Sequence, residues 1–361
     1  LPLPSCPRRL ARVGAVPPGA DCVLTERELN RAVLARQLLL ERGRMPLPRA
    51  VERVAGIQAQ YAPSTYVGLW SRVDGFRGQH LDGALERRSL VQGTLMRATI
   101  HLVSRADYWP LTLAVREARR RWWLRATHGD PAAVERSARR LRHALADGPR
   151  WRSELPEAPT NEWSGAGIWL DVVRVPPSGT WRRRRADRYA LAEHWLGPEP
   201  DHPDPLAHLV RRYLGGFGPA TANDVASFTG IPVGSLRATL DRVATRRFRD
   251  ERGTELVDVP RAPLPAADAY APPRFLPTWD ATLLVHARRA AILPEEHRQR
   301  IFSTKTPHSA PTFLVDGAVA GTWRLDGGRV RLEPFARLAR DARAELEDEA
   351  ERLAAFLADA S

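Results

Sequence analysis

Lysine is almost missing from this chain: of its 55 basic residues, all but Lys305 are arginine. A GC-rich genome produces that bias unaided, so arginine enrichment alone names no partner. The excess of positive over negative charge has no such origin. A formal net charge of +13 points to a negatively charged partner, nucleic acid first and an acidic membrane surface second. Cysteine is as scarce, with only Cys6 and Cys22, which excludes a disulfide framework or a cysteine-built metal site and fits a reducing cytoplasm. No apolar run approaches the roughly 20 residues that a bilayer span needs. The expectation is a soluble cytoplasmic protein with no membrane partner.

Chemical signatures are missing too. The chain has no GxxxxGK[ST] loop, no glycine-rich dinucleotide fingerprint after a strand and no HExxH pair, so nucleotide hydrolysis, Rossmann redox chemistry and zincin proteolysis have no support. Its 10 histidines are scattered rather than set at metal-ligand spacing, and each reads as a surface or core residue. No cluster of carboxylates suggests a metal-dependent nuclease. No metal and no cofactor are expected.

What is present reads as a series of modules in an α+β chain. Residues 1–24 are a proline-rich lead-in, expected to be disordered, without a signal-peptide apolar core. Residues 25–104 open with Thr25 and Glu28 at capping-box spacing and helical periodicity as far as Gly43. A helix opened by Pro48, helices over 64–73 and 79–87, and a strand pair or bulged strand in TLMRATIHLVS (94–104) complete a first winged-helix module. Residues 105–200 repeat the plan loosely: helices over 107–125, 131–146 and 165–173 precede VPPSGTWRRRRADRYAL as a wing. In residues 201–262, TANDVASFTG and VGSLRATLDRVA flank the turn Ile231-Pro232, with RRFRDERGTELVDV as a two-stranded wing. Residues 263–361 change character: TLLVHA, RAAIL, TFLVDGAVAGTW and RVRLEPF read as strands, with hairpin turns at Asp316-Gly317 and Asp326-Gly327. An amphipathic helix over 336–358 closes the chain.

One stretch fits no packing role as neatly. AGIQAQYAPS (55–64) sets Gln58 and Gln60 on either side of Ala59, where a helical pattern gives way to an aromatic and a proline. On these residues alone, helix C-capping or loop hydrogen bonding accounts for two neutral amides. Taken in order, however, GIQAQYAPSTYVGLWSRV, LMRATIHLVS, GPATANDVASFTGI, PRFLPTWDATLLVHARR and FLVDGAVAGTWR resemble the AlkZ/YcaQ-type bacterial DNA glycosylases over nearly the whole chain after about residue 25. The resemblance implies tandem winged helices arranged as a C around duplex DNA, with a β-rich element on the concave side. It also implies excision of N7-alkylated purines, with interstrand crosslinks unhooked by some members. Gln58 and Gln60 match the family's catalytic Gln-apolar-Gln motif. That form resembles the self-resistance branch, whereas Gln-apolar-Asp marks the broader one.

The chemistry is self-consistent. An N7-alkylguanine already carries positive charge, so its glycosidic bond needs little acid catalysis. What remains is to place a water at the anomeric carbon and stabilise an oxocarbenium-like sugar. Two amides can fix that water, although neither can ionise to act as a strong base. With Lys305 as the only lysine and far along the chain, base excision without strand cleavage is expected, since Schiff-base chemistry needs an amine.

Other candidates carry two open readings each. Arg97 and His101 either face DNA from the β element or lie on a solvated sheet face. Arg182 and Arg183, within the run Arg182–Arg185, either track phosphates or tip a solvated wing. Arg237, with Arg242, Arg246 and Arg247, is either a DNA contact or part of a solvated face. The hairpin TWRLDGGRVRL (322–332) resembles the family's DNA-inserting hairpin, which implies DNA contact by Arg324, Arg329 and Arg331. Asp280 stands where the family often has an aspartate and is expected to organise the site. The expected state is a monomer, no heptad zipper being visible. Two other functions fit parts of the chain: a non-catalytic winged-helix regulator, or a protein that sequesters a genotoxin.

Overall fold

Thr25 caps the first helix as its spacing predicts: Glu28 N donates to Thr25 Oγ1 at 3.2 Å and Thr25 N to Glu28 Oε2 at 2.9 Å. The computed structural model describes residues 22–157, 160–284, 286, 289–302 and 309–360; Lys305 and most of the expected lead-in lie outside them. Chain order runs β1 (Val23–Leu24), α1 (Glu26–Arg36), α2 (Leu47–Arg53), β2 (Ile57–Gln58), α3 (Ala62–Arg72), α4 (Gly78–Glu86), β3 (Leu90–Thr94) and β4 (Ile100–Ser104). Helix α1 stops well before Gly43. Leu38 turns left-handed at φ 58°, and Leu39 N returns to Leu34 O at 2.8 Å, closing the helix C-terminus without a glycine. The 94–104 segment proves to be the second half of a hairpin: β3 begins earlier, at Leu90, and pairs antiparallel with β4.

Next come α5 (Arg105–Thr127), α6 (Pro131–Ala144), β5 (Arg150–Trp151), α7 (Thr160–Trp169), β6 (Val172–Arg174), β7 (Arg188–Leu191) and α8 (Ala192–Leu196). Ser104 Oγ and the Asp130 carboxylate cap α5 and α6, as small polar residues do at N-termini. Strands β2 to β7 form one sheet in the order β2-β4-β3-β6-β7-β5. Hydrogen bonding therefore runs continuously from the Gln-Ala-Gln stretch to residues 188–191.

Helices α9 (Pro205–Phe217), α10 (Ala222–Thr229) and α11 (Val233–Val243) precede β8 (Arg246–Asp250) and β9 (Glu255–Asp258). Gly230, at φ 77°, ends α10 in the left-handed conformation that glycine adopts without strain. Strand β1 adds in parallel to β8. Buried Arg36, at the end of α1, forks onto Asp258 of β9 with contacts of 2.7 and 2.9 Å, both side chains fully excluded from solvent.

The last unit contains β10 (Arg274–Leu276), α12 (Arg298–Ile301), β11 (Thr312–Val315), β12 (Ala318–Asp326), β13 (Arg329–Pro334) and α13 (Arg340–Ala360). Strands β10 to β13 form an antiparallel sheet in sequence order, so the β-rich character holds. The described residues of the expected strands TLLVHA and RAAIL form no strand: residues 281–283 and 289–291 are single 3₁₀ turns, and residues 285 and 287 of TLLVHA lie outside the described residues. The short apolar runs are buried all the same, with Leu283, Ile292 and Leu293 in the main core, and burial without alternation does not distinguish strand from turn. Both hairpins use pairs of residues with positive φ, Asp316-Gly317 and Gly327-Gly328, the latter one residue beyond the expected turn. The main core links α1, α5, α9, α10 and α11 with β3 and β6; a second packs α2, α3, α4 and α13 around Phe275, Phe313 and Trp323.

Candidate active site around Gln58 and Gln60

Gln58 ends a two-residue strand. In register it faces His101 of β4, and Ala59 N donates to Ile100 O at 2.8 Å, carrying the pairing one residue further. The chain then leaves the sheet. Gln60 is exposed, Tyr61 caps α3 through its backbone conformation, and Pro63 sits in the first turn. Proline there is favoured because its missing N–H would have no helical partner. The alternation of strand and bend buries Gln58 and Ala59 while presenting Gln60 to solvent. The two side chains nonetheless meet: Gln58 Nε2 donates to Gln60 Oε1.

Behind Gln58 lies Arg97. It occupies the β3–β4 turn with φ 54° and ψ 23°, followed by Ala98 at φ 55°. Asn-Gly would adopt two such conformations cheaply; Arg-Ala does so at a cost of order 1–3 kcal/mol per residue. The guanidinium points inward, Nη2 donating to Gln58 Oε1 at 3.1 Å and Nη1 to Phe228 O at 2.9 Å. Its Cζ also lies 5.4 Å from the Phe228 ring centroid. Burial above all lowers its pKa to about 10, so it stays charged at neutral pH.

His101 is buried, and its Nδ1 donates to Thr99 O at 3.0 Å, which assigns the proton to that nitrogen. Burial, then the Arg97 charge, depresses its pKa to about 3. His286 is buried against Phe217 and Phe228, with ring centroids 4.8 and 4.9 Å away, and neither of its ring nitrogens has a partner among the described residues. Burial, then Arg97 and His101, holds it well below the ordinary range. One cation thus sits among two neutral imidazoles behind the amide pair.

Asp280 approaches from the other side and acts on α3. Its carboxylate takes Arg72 Nη2 at 2.9 Å and caps its own turn through Thr282 N and Oγ1 at 3.1 and 2.8 Å. Ser71 Oγ donates to Phe275 O. The helix that follows the glutamines is thereby tied to the segment after β10.

The structure brings Gln58, Gln60, Arg97 and His101 together, and Asp280 to their supporting helix. His101 is buried, and Arg97 is half-buried with its guanidinium turned toward Gln58 and the end of α10. Arg182 and Arg183 stand exposed between β6 and β7, Arg183 over the Trp151 ring at 3.7 Å. Arg237 is exposed on α11, and Arg324, Arg329 and Arg331 are exposed on β12 and β13. Arg324 and Arg331 share Asp326 at 3.5 Å each, and Arg324 also meets Glu333 at 3.1 Å. Sequence reasoning missed Phe228, His286 and Arg72. Phe228 lies 131 residues from Arg97, and no local pattern signals such a pairing. Among the described residues no group of histidine, cysteine or acidic side chains is arranged to hold a metal.

A family model described as DNA glycosylase AlkZ-like matches residues 51–356. The interstrand DNA cross-link repair glycosylase of Streptomyces sahachiroi is 23% identical over 341 residues, covering 84% of this chain and 88% of that protein. The solved structure of Streptomyces sahachiroi DNA glycosylase AlkZ shares the fold, with a TM-score of 0.77, 19% identity, and coverage of 92% of this chain and 97% of the other. With the match running from α2 into α13, the chain belongs to the AlkZ-like family of DNA glycosylases.

Proposed function

We propose that this glycosylase hydrolyses the N-glycosidic bond of N7-alkylated purines in duplex DNA, including bulky genotoxin adducts and interstrand crosslinks, in a self-resistance or repair role. The observation that carries the reading is the bonded pair Gln58–Gln60, buried at one end and exposed at the other. An amide oxygen there accepts from a water and aims it at the anomeric carbon, while the cationic base leaves without protonation. Uncharged lesions lack that leaving group and react poorly. The named activity of the Streptomyces sahachiroi relative supports crosslinks as substrates, and Gln60 in place of an aspartate supports the self-resistance branch.

In this reading the helix pairs followed by hairpins are tandem winged helices set in a C around DNA. The exposed β12–β13 hairpin, with Arg324, Arg329 and Arg331, contacts the minor groove or its phosphates, and Arg182, Arg183 and Arg237 extend the basic track. The protein acts as a monomer in the cytoplasm without a cofactor. Family membership favours this over a non-catalytic regulator.

The test incubates purified protein with duplex bearing N7-methylguanine and, separately, with genotoxin-crosslinked duplex, and scores abasic sites after alkaline cleavage. Release is expected from at least one, and no release from either defeats the reading. Equal release by the Gln58→Ala/Gln60→Ala variant defeats the site assignment alone. Borohydride is expected to trap no covalent enzyme–DNA adduct.

A further inference from the structure

Arginine has donors only. An amide, by contrast, carries an acceptor on one arm and donors on the other, and nothing in its shape fixes which way it lies. The Arg97 Nη2 contact at 3.1 Å removes that freedom, because the arm of Gln58 facing it must be Oε1. Nε2 is then turned toward Gln60, which must answer with its own oxygen. The exposed end of the chain thereby presents Gln60 Nε2 as a donor and the second lone pair of Gln60 Oε1 as an acceptor. A water needs that acceptor to be aimed at a sugar carbon. With Gln58 flipped, its Nε2 would face the Arg97 N–H and its Oε1 would face Gln60, drawing Gln60 Nε2 inward and swinging the Gln60 acceptor away.

Arg97 is itself held from behind. Phe228 O, which accepts from Nη1, belongs to the last turn of α10, where unpaired helical carbonyls carry partial negative charge. Gly230 brings that end close, since a Cβ there would lie 3.9 Å from the Arg97 Cα and N. The half-buried guanidinium has no carboxylate partner among the described residues, and its hydrogen bonds go to Gln58 and this helix end. A half-buried cation on a strained turn, held by two neutral oxygens and an aromatic ring and by no carboxylate, is a costly way to fill space.

We infer that Arg97 is a positioning residue: anchored on the end of α10, it fixes the hydrogen-bond polarity of Gln58, and through it the water-accepting face of Gln60. The inference rests on the reading of Gln58 and Gln60 as the water-holding pair. It does not require Arg97 to touch DNA.

A double-mutant cycle tests it, using single-turnover release of N7-methylguanine and fluorescence anisotropy of the same duplex. Arg97→Met, which keeps length without donors, is expected to slow release about 10- to 100-fold while duplex affinity changes less than about threefold. Arg97→Lys, with one donor restored, should recover part of the rate. In a Gln58→Ala background, Arg97→Met should cost nothing further, because the amide it orients is gone. Losses that multiply in the double variant overturn the inference, as does a variant that loses affinity with its rate intact, the signature of a direct phosphate contact. An unchanged rate for Gln58→Ala alone removes the underlying site reading instead. Should Arg97→Met melt below the assay temperature, Arg97→Lys takes its place in the cycle, where the same non-additivity is expected and multiplied losses overturn.

Discussion

At the scale of single residues, the site is built from groups that do not change charge near neutrality. Gln58 and Gln60 cannot ionise, Arg97 stays protonated, and His101 and His286 stay neutral through burial and the charge of Arg97. The rate of base release should therefore be flat between about pH 6 and 8, where an ordinary histidine would titrate; a bell-shaped single-turnover profile would contradict this. Stability behaves differently. Both histidine pKa values are lower in the folded state than in the unfolded chain, so unfolding takes up protons. Stability is full above the unfolded value near 6.5 and falls as pH drops toward about 3 for His101. His101 should cost about 2 kcal/mol between pH 7 and 5, with His286 acting in the same direction, readable by urea denaturation, and His101→Gln should reduce that loss. Gln60→Asp should widen the range of lesions released, as measured on a panel of small and bulky N7 adducts. Sequence alone located Gln58 and Gln60 but not their mutual bond, which depends on a strand ending between them.

At the scale of elements, short-range chemistry was legible and long-range pairing was not. The capping box at Thr25, the glycine that ends α10 and the Asp316-Gly317 turn follow from neighbours three or four residues away. The turns found at 281–283 and 289–291, where strands were expected, follow from the same locality: an apolar run states that it is buried, and only the partner decides in what form. The Arg36–Asp258 fork across α1 and β9 belongs to this scale too. Arg36→Met should cost about 3–5 kcal/mol, because among the described residues it leaves a fully buried carboxylate with just the Val259 N–H at 2.9 Å and Arg246 at 3.5 Å. Urea midpoints at constant m-value would measure it. Gly230→Ala should cost about 1 kcal/mol for its positive φ and slow base release by shifting the helix end on which Arg97 rests.

At the scale of the whole molecule, a net charge of +13 makes DNA affinity strongly salt-dependent, since each neutralised phosphate releases counterions. The exposed arginines should not contribute equally. Arg329, at the hairpin turn, has no acidic partner among the described residues, so Arg329→Ala should lower the log–log salt slope by about one. Arg324 and Arg331 already share Asp326, and their alanine variants should change the slope less. Fluorescence anisotropy across a salt series distinguishes the two outcomes.

What the sequence determined by itself was whatever composition and local geometry decide: an excess of positive charge, helix starts such as Thr25 and the Asp316-Gly317 turn, and the place of two neutral amides at the end of a helical pattern. The tertiary structure decided which groups meet. It set the Arg97 guanidinium against Gln58 and against Phe228 from 131 residues away, and tied Asp280 to the helix after the glutamines rather than to the glutamines themselves. The physical reason is one of range. Propensity and capping act over a single turn of chain, whereas the orientation of an amide is set by whichever donor the folded core brings against it.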